Sequence, residues 1–116
     1  MPLNNTARNA MLDHLATLAV FVSLHTADPG TTGTSEVSGG SPAYARKAIT
    51  WNAAATGNLD NNANAVFDVP ASTTITHLGF WSAATAGTFY GSADITDETF
   101  AAQGTYTTLD VDISVT

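Results

Sequence analysis

Two periodicities divide this chain. Over residues 5–17 the apolar positions follow helical spacing: Ala7, Ala10, Met11, His14, Leu15 and Leu18 form one stripe. Asn4, Asn5 and Thr6 precede or open it, and all three are residue types whose side-chain oxygens cap a helix start. Arg8, Asn9 and Asp13 fall elsewhere on the wheel. A helix this short is marginal alone, so it is expected to dock, first on its own sheet and second on a neighbouring subunit.

From residue 19 the period becomes two. Residues 19–26 predict a strand in which Val20, Val22, Leu24 and Thr26 alternate with Phe21, Ser23 and His25. Large apolar groups on both faces place it centrally. Asp28-Pro29-Gly30 ends it, because Pro fixes φ and Gly permits a positive one. Residues 31–42 read as loop, and the lone Val37 within it is expected to be pinned to the body of the domain. Residues 44–51 predict a second strand, with Lys47, Ile49 and Trp51 on one face and Tyr44, Arg46, Ala48 and Thr50 on the other. Residues 52–64 are small and polar, a loop or a weak edge strand around Leu59.

Residues 65–69 predict a short strand closed by Pro70. Residues 72–82 predict a core strand, apolar on both faces between Leu78 and Trp81; Gly79 inside it signals a close approach. Residues 88–95 are its partner across a turn at 83–87, and 96–98 read as a further turn. Residues 105–116 give the clearest alternation, Leu109, Val111, Ile113 and Val115 against Asp110, Asp112 and Ser114, hence a one-sided antiparallel strand. Six or seven short strands and one helix predict a mainly β fold, an antiparallel β-sandwich or barrel-like domain spanning 1–116 as one unit.

Composition narrows the partners. Ten acidic and three basic residues give a net charge of −7, which argues against nucleic acid and anionic membranes. Only 11% of the residues are charged, against about 25% in ordinary soluble domains. A surface of hydroxyls and amides suits packing against copies of the chain or a scaffold; it also suits an extracellular β-domain. Cysteine is absent, so no disulfide or thiolate metal site exists. The opening Met-Pro-Leu-Asn-Asn has no basic or long apolar run, so no signal peptide is expected.

Candidate chemistry is sparse. His25 and Asp28 straddle a strand end, where a turn-capping Asp28 and a surface or strand-edge His25 are the better reading than a proton-transfer pair. His14, His25 and His77 lie on three separate elements, so nothing local converges three ligands on a metal. Asp60, Asp94, Asp97, Glu98, Asp110 and Asp112 offer oxygens to a structural calcium, but without the glycine and closing glutamate of an EF-hand loop; no cofactor is expected. Trp51, Phe80, Trp81, Phe89 and Tyr90 read as core before they read as a sugar platform. No nucleophile, base and orienting group stand together, so an enzyme is not expected.

The stretch 23–51 then organises the chain. Its loop is too long for a mere connection. Arg46, scarce positive charge beside Glu36, is expected to tie the 36–40 loop to the following strand. Asp28, Pro29, Glu36, Val37, Tyr44 and Arg46 are therefore the expected interaction residues.

The order His25-Thr-Ala-Asp-Pro-Gly30, Glu36-Val-Ser-Gly-Gly40, Tyr44-Ala-Arg46, Thr50-Trp51, Phe67-Asp-Val-Pro70, then Ile75 through Ala84 and Gly87-Thr-Phe89, resembles a family of small tailed-bacteriophage structural proteins. The helical opening Leu3 to Ala10 fits too, so the likeness covers about residues 1–95. Such families are often labelled tail-fibre or minor tail proteins. The resemblance implies a non-enzymatic virion component with no catalytic residues to transfer, from a phage of Gram-positive, actinobacterial hosts. Three readings follow: a tail-tip or tail-fibre-associated minor protein, a capsid decoration protein, or a carbohydrate-binding module for a host surface glycan. The first two imply a homo-oligomer in contact with other virion proteins, tail or major capsid.

Overall fold

The computed structural model describes residues 3–108 and 110–115. Among these residues one helix, α1 (Asn5–Leu18), precedes eight strands: β1 (Phe21–His25), β2 (Lys47–Ala48), β3 (Asn58–Asp60), β4 (Ala65–Val69), β5 (Thr73–Trp81), β6 (Phe89–Phe100), β7 (Gly104–Thr108) and β8 (Asp112–Ser114). Every strand pairing is antiparallel. The strands form a four-stranded sheet in the order β2-β1-β5-β6 and two ribbons, β3-β8 and β4-β7. The fold is mainly β, as expected, and its layered sheets stay open rather than closing into a barrel.

The core forms between layers. Val22, Leu24, Leu78 and Phe80 line one face of the four-stranded sheet, and Ala65, Phe67 and Val69 come from the alternate positions of β4. Val37, Ile49, Ile75 and Val111 close the cluster, all buried. Strand β1 is central as predicted, between β2 and β5. Leu59, the lone large apolar residue of its polar stretch, is fully buried on β3.

Several segments depart from the sequence pattern. Of 44–51 only Lys47–Ala48 is strand, because Tyr44 and Arg46 turn their side chains to other partners. The expected turn at 96–98 is instead part of the twelve-residue β6. Two irregularities absorb the extra length: between the pairs Ile75↔Glu98 and His77↔Asp94, and between Phe80↔Gly91 and Trp81↔Phe89. The single strand expected over 105–116 is two strands, β7 on β4 and β8 on β3. The Asn61 side chain holds the break by accepting from the Val111 amide at 2.9 Å, and the Asn61 amide donates to the Val111 carbonyl. Leu109 and Thr116, part of that expected strand, lie outside the described residues.

The helix docks through a flank beside its apolar stripe; of the stripe, Leu15 packs against the core and Ala7 and Leu18 are half-buried. Its N-cap is Asn4, whose Oδ1 accepts from the Ala7 amide at 2.9 Å. Leu12 is its buried residue, whereas Met11 is 51% exposed and Ala10 and His14 are exposed too. The polar flank does the docking. Asn9 Oδ1 accepts from the Gly57 amide at 2.9 Å, and the Asp13 carboxylate accepts from the Ala54 amide at 2.7 Å. The segment leading into β3 has amides to satisfy, so polar residues one turn apart outcompete the apolar stripe for this surface. Leu12→Ala is accordingly expected to lose about 2–5 kcal/mol. Met11→Ala should stay within about 0.5 kcal/mol in the same urea titration.

Candidate functional site

The stretch 26–46 folds back over the second face of the four-stranded sheet. On β1 and β5 that face carries Ser23, His25, Gly79 and Trp81, opposite the core-facing Val22, Leu24, Leu78 and Phe80. Residues 35–37 extend the sheet beside β1: His25 bridges Glu36, the Thr26 amide donates to Ser35 O, and the Val37 amide donates to Leu24 O. Val37 is pinned to the body as expected. The chain leaves β1 through Asp28, whose Oδ1 accepts from the Gly30 amide at 2.9 Å, with Gly30 at φ +64°. Pro29 is fully buried beneath the turn.

Arg46 fastens this cover. Its Nε and Nη2 donate to the two Glu36 carboxylate oxygens at 3.0 and 2.9 Å. Its Nη1 donates to the carbonyls of Ala83 and Ala86 at 3.0 and 2.8 Å. The guanidinium lies over the Trp81 ring, 3.6 Å from the centroid. The Arg46 side chain is only 8% exposed and that of Glu36 23%, so this is a bidentate pair sheltered from water rather than a surface contact. Tyr44 completes it. Its hydroxyl accepts from the Leu24 amide at 2.9 Å and donates to Glu36 Oε2 at 2.8 Å, while its ring stacks on Phe67. Burial raises the Tyr44 phenol far above its ordinary value, which keeps it a donor.

A second network lies behind the first. Trp81 Nε1 donates to Ser23 Oγ at 2.8 Å, Ser23 Oγ meets His25 Nε2 at 2.6 Å, and His25 Nδ1 meets Thr34 O at 2.7 Å. A carbonyl only accepts, so Nδ1 carries the proton and Nε2 accepts from the serine hydroxyl. His25 is thus fully buried, not at the surface or strand edge. Hydroxyl and imidazole have the spacing of a nucleophile and its base. Ser23 and His25 are both closed to solvent, however, and the orienting group is a backbone carbonyl. The chain of bonds anchors the cover. Gly79 makes room for it: a Cβ there would overlap Ser23 Oγ and His25 Nε2. Gly33, at φ +79°, lets the cover lie on the edge of the Trp81 ring in the same way.

Four of the six expected interaction residues come together. Glu36, Val37, Tyr44 and Arg46 line a shallow pocket of about 330 Å³ with Ser38, Gly39, Ala45 and the 84–86 turn. Asp28 and Pro29 stand at the other end of the cover and do not line it. No local pattern marks Gln103, whose side chain accepts from the Ser41 amide at 3.3 Å and donates to Pro42 O at 3.2 Å, tethering the loop tip across 62 and 61 residues. Ser23 was not singled out either; its alternate position with His25, opposite Gly79, is the signal that marks the pair.

Elsewhere, Asp60, Asp110 and Asp112 bring carboxylate oxygens within 4.8 Å of one another. All three are exposed, and Asn58 Nδ2 donates to Asp60 and Asp112 at 3.0 and 3.2 Å. They are the described residues best placed to hold a cation, but exposed carboxylates cluster commonly without one. Of the five aromatics read as core, Phe80 and Trp81 are buried, Trp51 is half-buried against the core, Phe89 is half-buried with Trp81 edge-on against it, and Tyr90, contrary to that reading, stands exposed.

A stiffened loop beside a small pocket, on a low-charge β scaffold, is the build of a structural or contact module, and comparison with known proteins places that module in the phage particle. A family model described as podophage GP4 fiber I protein gp80 matches residues 2–115. The chain belongs to this family of phage tail fibre proteins, and it is a virion component with a structural, tail-associated role among other virion proteins. No curated protein matches it.

Arg46→Ala leaves Glu36 and two carbonyls without their cation and is expected to cost about 3 kcal/mol. That corresponds to a fall in Tm on the order of 10 °C. Arg46→Lys keeps the charge but not the fork, and should fall between the two. Burial also lowers the His25 imidazole below its ordinary 6.5, against the opposing Thr34 carbonyl and Glu36 charge; Arg46 and His77 push it the same way as burial. The unfolded chain therefore takes up a proton that the fold refuses. This contribution is intact above pH 6.5 and is lost as pH falls from there through the lowered folded value. Melting curves from about pH 7.5 to about pH 5 should show this loss in the native chain and a flatter profile in His25→Gln.

Proposed function

We propose that this chain is a non-enzymatic contact domain at the tail tip or fibre, folding as one β-rich unit over 1–116 and working as a symmetric homo-oligomer. The observation that carries this reading is the Arg46 clasp. It fixes residues 36–46 and the 83–86 turn around one pocket, so a partner meets a surface already ordered. Preorganisation of that kind removes much of the entropy of docking, which suits a small part in a repetitive assembly. Glu36, Val37, Tyr44 and Arg46 form its base, and Asp28 and Pro29 set the turn that leads into it.

The helix supplies the contact between copies. Its exposed stripe of Ala10, Met11 and His14 carries no fixed charge on a chain of net charge −7, so two copies approach there with least repulsion. The fibre family favours the tail over the outside of the head. The pocket beside the clasp is also where a host glycan would bind under the carbohydrate-binding alternative.

Copy number in purified virions decides placement: a handful of copies per particle is expected, and hundreds would make the chain a capsid decoration protein. Met11→Glu is expected to shift the purified chain from oligomer to monomer by light scattering with Tm unchanged; a monomeric native chain would remove the helix contact. A host cell-wall pull-down should stay at background, and saturable binding lost in Tyr44→Ala would favour the glycan reading.

A further inference from the structure

Strand β6 is the edge of the four-stranded sheet. One side of it pairs with β5, and among the described residues no backbone group bonds to the other side within 89–100. At twelve residues it is about twice the common strand length, or roughly 40 Å of open amides and carbonyls. Such an edge is a template for an added strand unless something bars it.

Charge selects the occupant. Asp94, Asp97 and Glu98 are exposed on β6, and the strand has no basic residue. Pairing with β6 of a second copy would gather six carboxylates in one two-stranded ribbon without a Lys or Arg between them, the one ring nitrogen nearby being His77 Nε2 on β5, 3.8 Å from Asp94 Oδ1; close like charges destabilise a strand pair. The rest of the chain has little to answer them with. Of its three basic residues, Arg46 is held by Glu36, Arg8 bonds Asn5 on the helix and lies against Gly57, and Lys47 sits on β2, the opposite edge of the sheet. The groups that bar a second copy admit a strand of opposite charge.

We propose that the free edge of β6 seats an extended segment of a different virion protein bearing Lys or Arg at alternate positions. Backbone bonds along the edge supply the pairing, and Asp94, Asp97 and Glu98 supply the selection. The two irregularities against β5 confine regular pairing to the run 91–94 and the end 98–100, with the carboxylates at or between them.

A photo-crosslinking residue at Ser92, an exposed edge position, tests this in assembled virions, with Asn64 as an exposed control. The expected adduct joins Ser92 to a Lys- or Arg-bearing segment of another virion protein. An adduct with a second copy of this chain, or none above the Asn64 level, overturns the proposal. Selection is read separately on the purified chain with a synthetic octapeptide of alternating Thr and Lys. Amide shifts should move along 89–100, and affinity should drop at least tenfold in Asp94→Asn/Asp97→Asn/Glu98→Gln, whose Tm should match the native chain. Unchanged affinity in that variant, equal binding of a Thr-Glu octapeptide, or no shift along 89–100 at millimolar peptide overturns it. Copy number in the virion is independent of these readings, so tail placement and strand capture fail separately.

Discussion

One guanidinium holds this protein's most irregular third in place. Arg46 reaches a carboxylate on one loop, two carbonyls on the β5–β6 turn and the face of Trp81, and its own backbone leads directly into β2. None of these segments forms regular structure with the others. Their relative position depends on a planar cation with donors on several edges, a role the compact lysine ammonium does not fill. Tyr44 extends the same logic to the sheet, because its hydroxyl satisfies a β1 amide that the short pieces on that edge leave over. The scarcity of charge in the chain makes the pair selective: few other ions compete for either partner.

The clasp matters because the central strands of the four-stranded sheet are buried on both faces. One face meets β4 and the remaining core, and the other would expose Trp81 and His25 without the 26–46 cover. A loop makes an awkward lid, since its backbone must find partners that a strand or helix would supply to itself. The chain resolves this by pairing 35–37 with β1, letting His25 hold Thr34 O, and closing the tip through Gln103. Gly79 and Gly33 give up side-chain volume so that the layers can touch.

Much of this was legible in the order of residues. Mainly β structure, the central β1, the 72–95 hairpin, the pinned Val37 and the Glu36–Arg46 pair all follow from local pattern, because each rests on alternation or on charges ten residues apart. The departures share a different cause. The alternation over 105–116 is unbroken, yet two partner strands on separate ribbons and one asparagine side chain cut it in two. The helix stripe is a sound stripe, but amides near β3 claimed the neighbouring flank. His25 reads as an edge residue until a loop nine residues on covers it. Local spacing reports which faces are apolar; it does not report which of them a distant segment will reach.

The helix attachment sets the order in which the molecule comes apart. Buried Leu12, half-buried Leu15 against the core and two side-chain-to-amide bonds hold α1, while β1 and β5 are held by the core on one side and the clasped loop on the other. Detaching α1 exposes little apolar surface, so this opening should carry a small heat capacity and a small denaturant dependence. Its amides would then exchange with solvent deuterium by local release, well before those of the central strands, which await global unfolding. In an assembled tail, a subunit of this build can let go at its helix without losing the surface that the arginine keeps in shape.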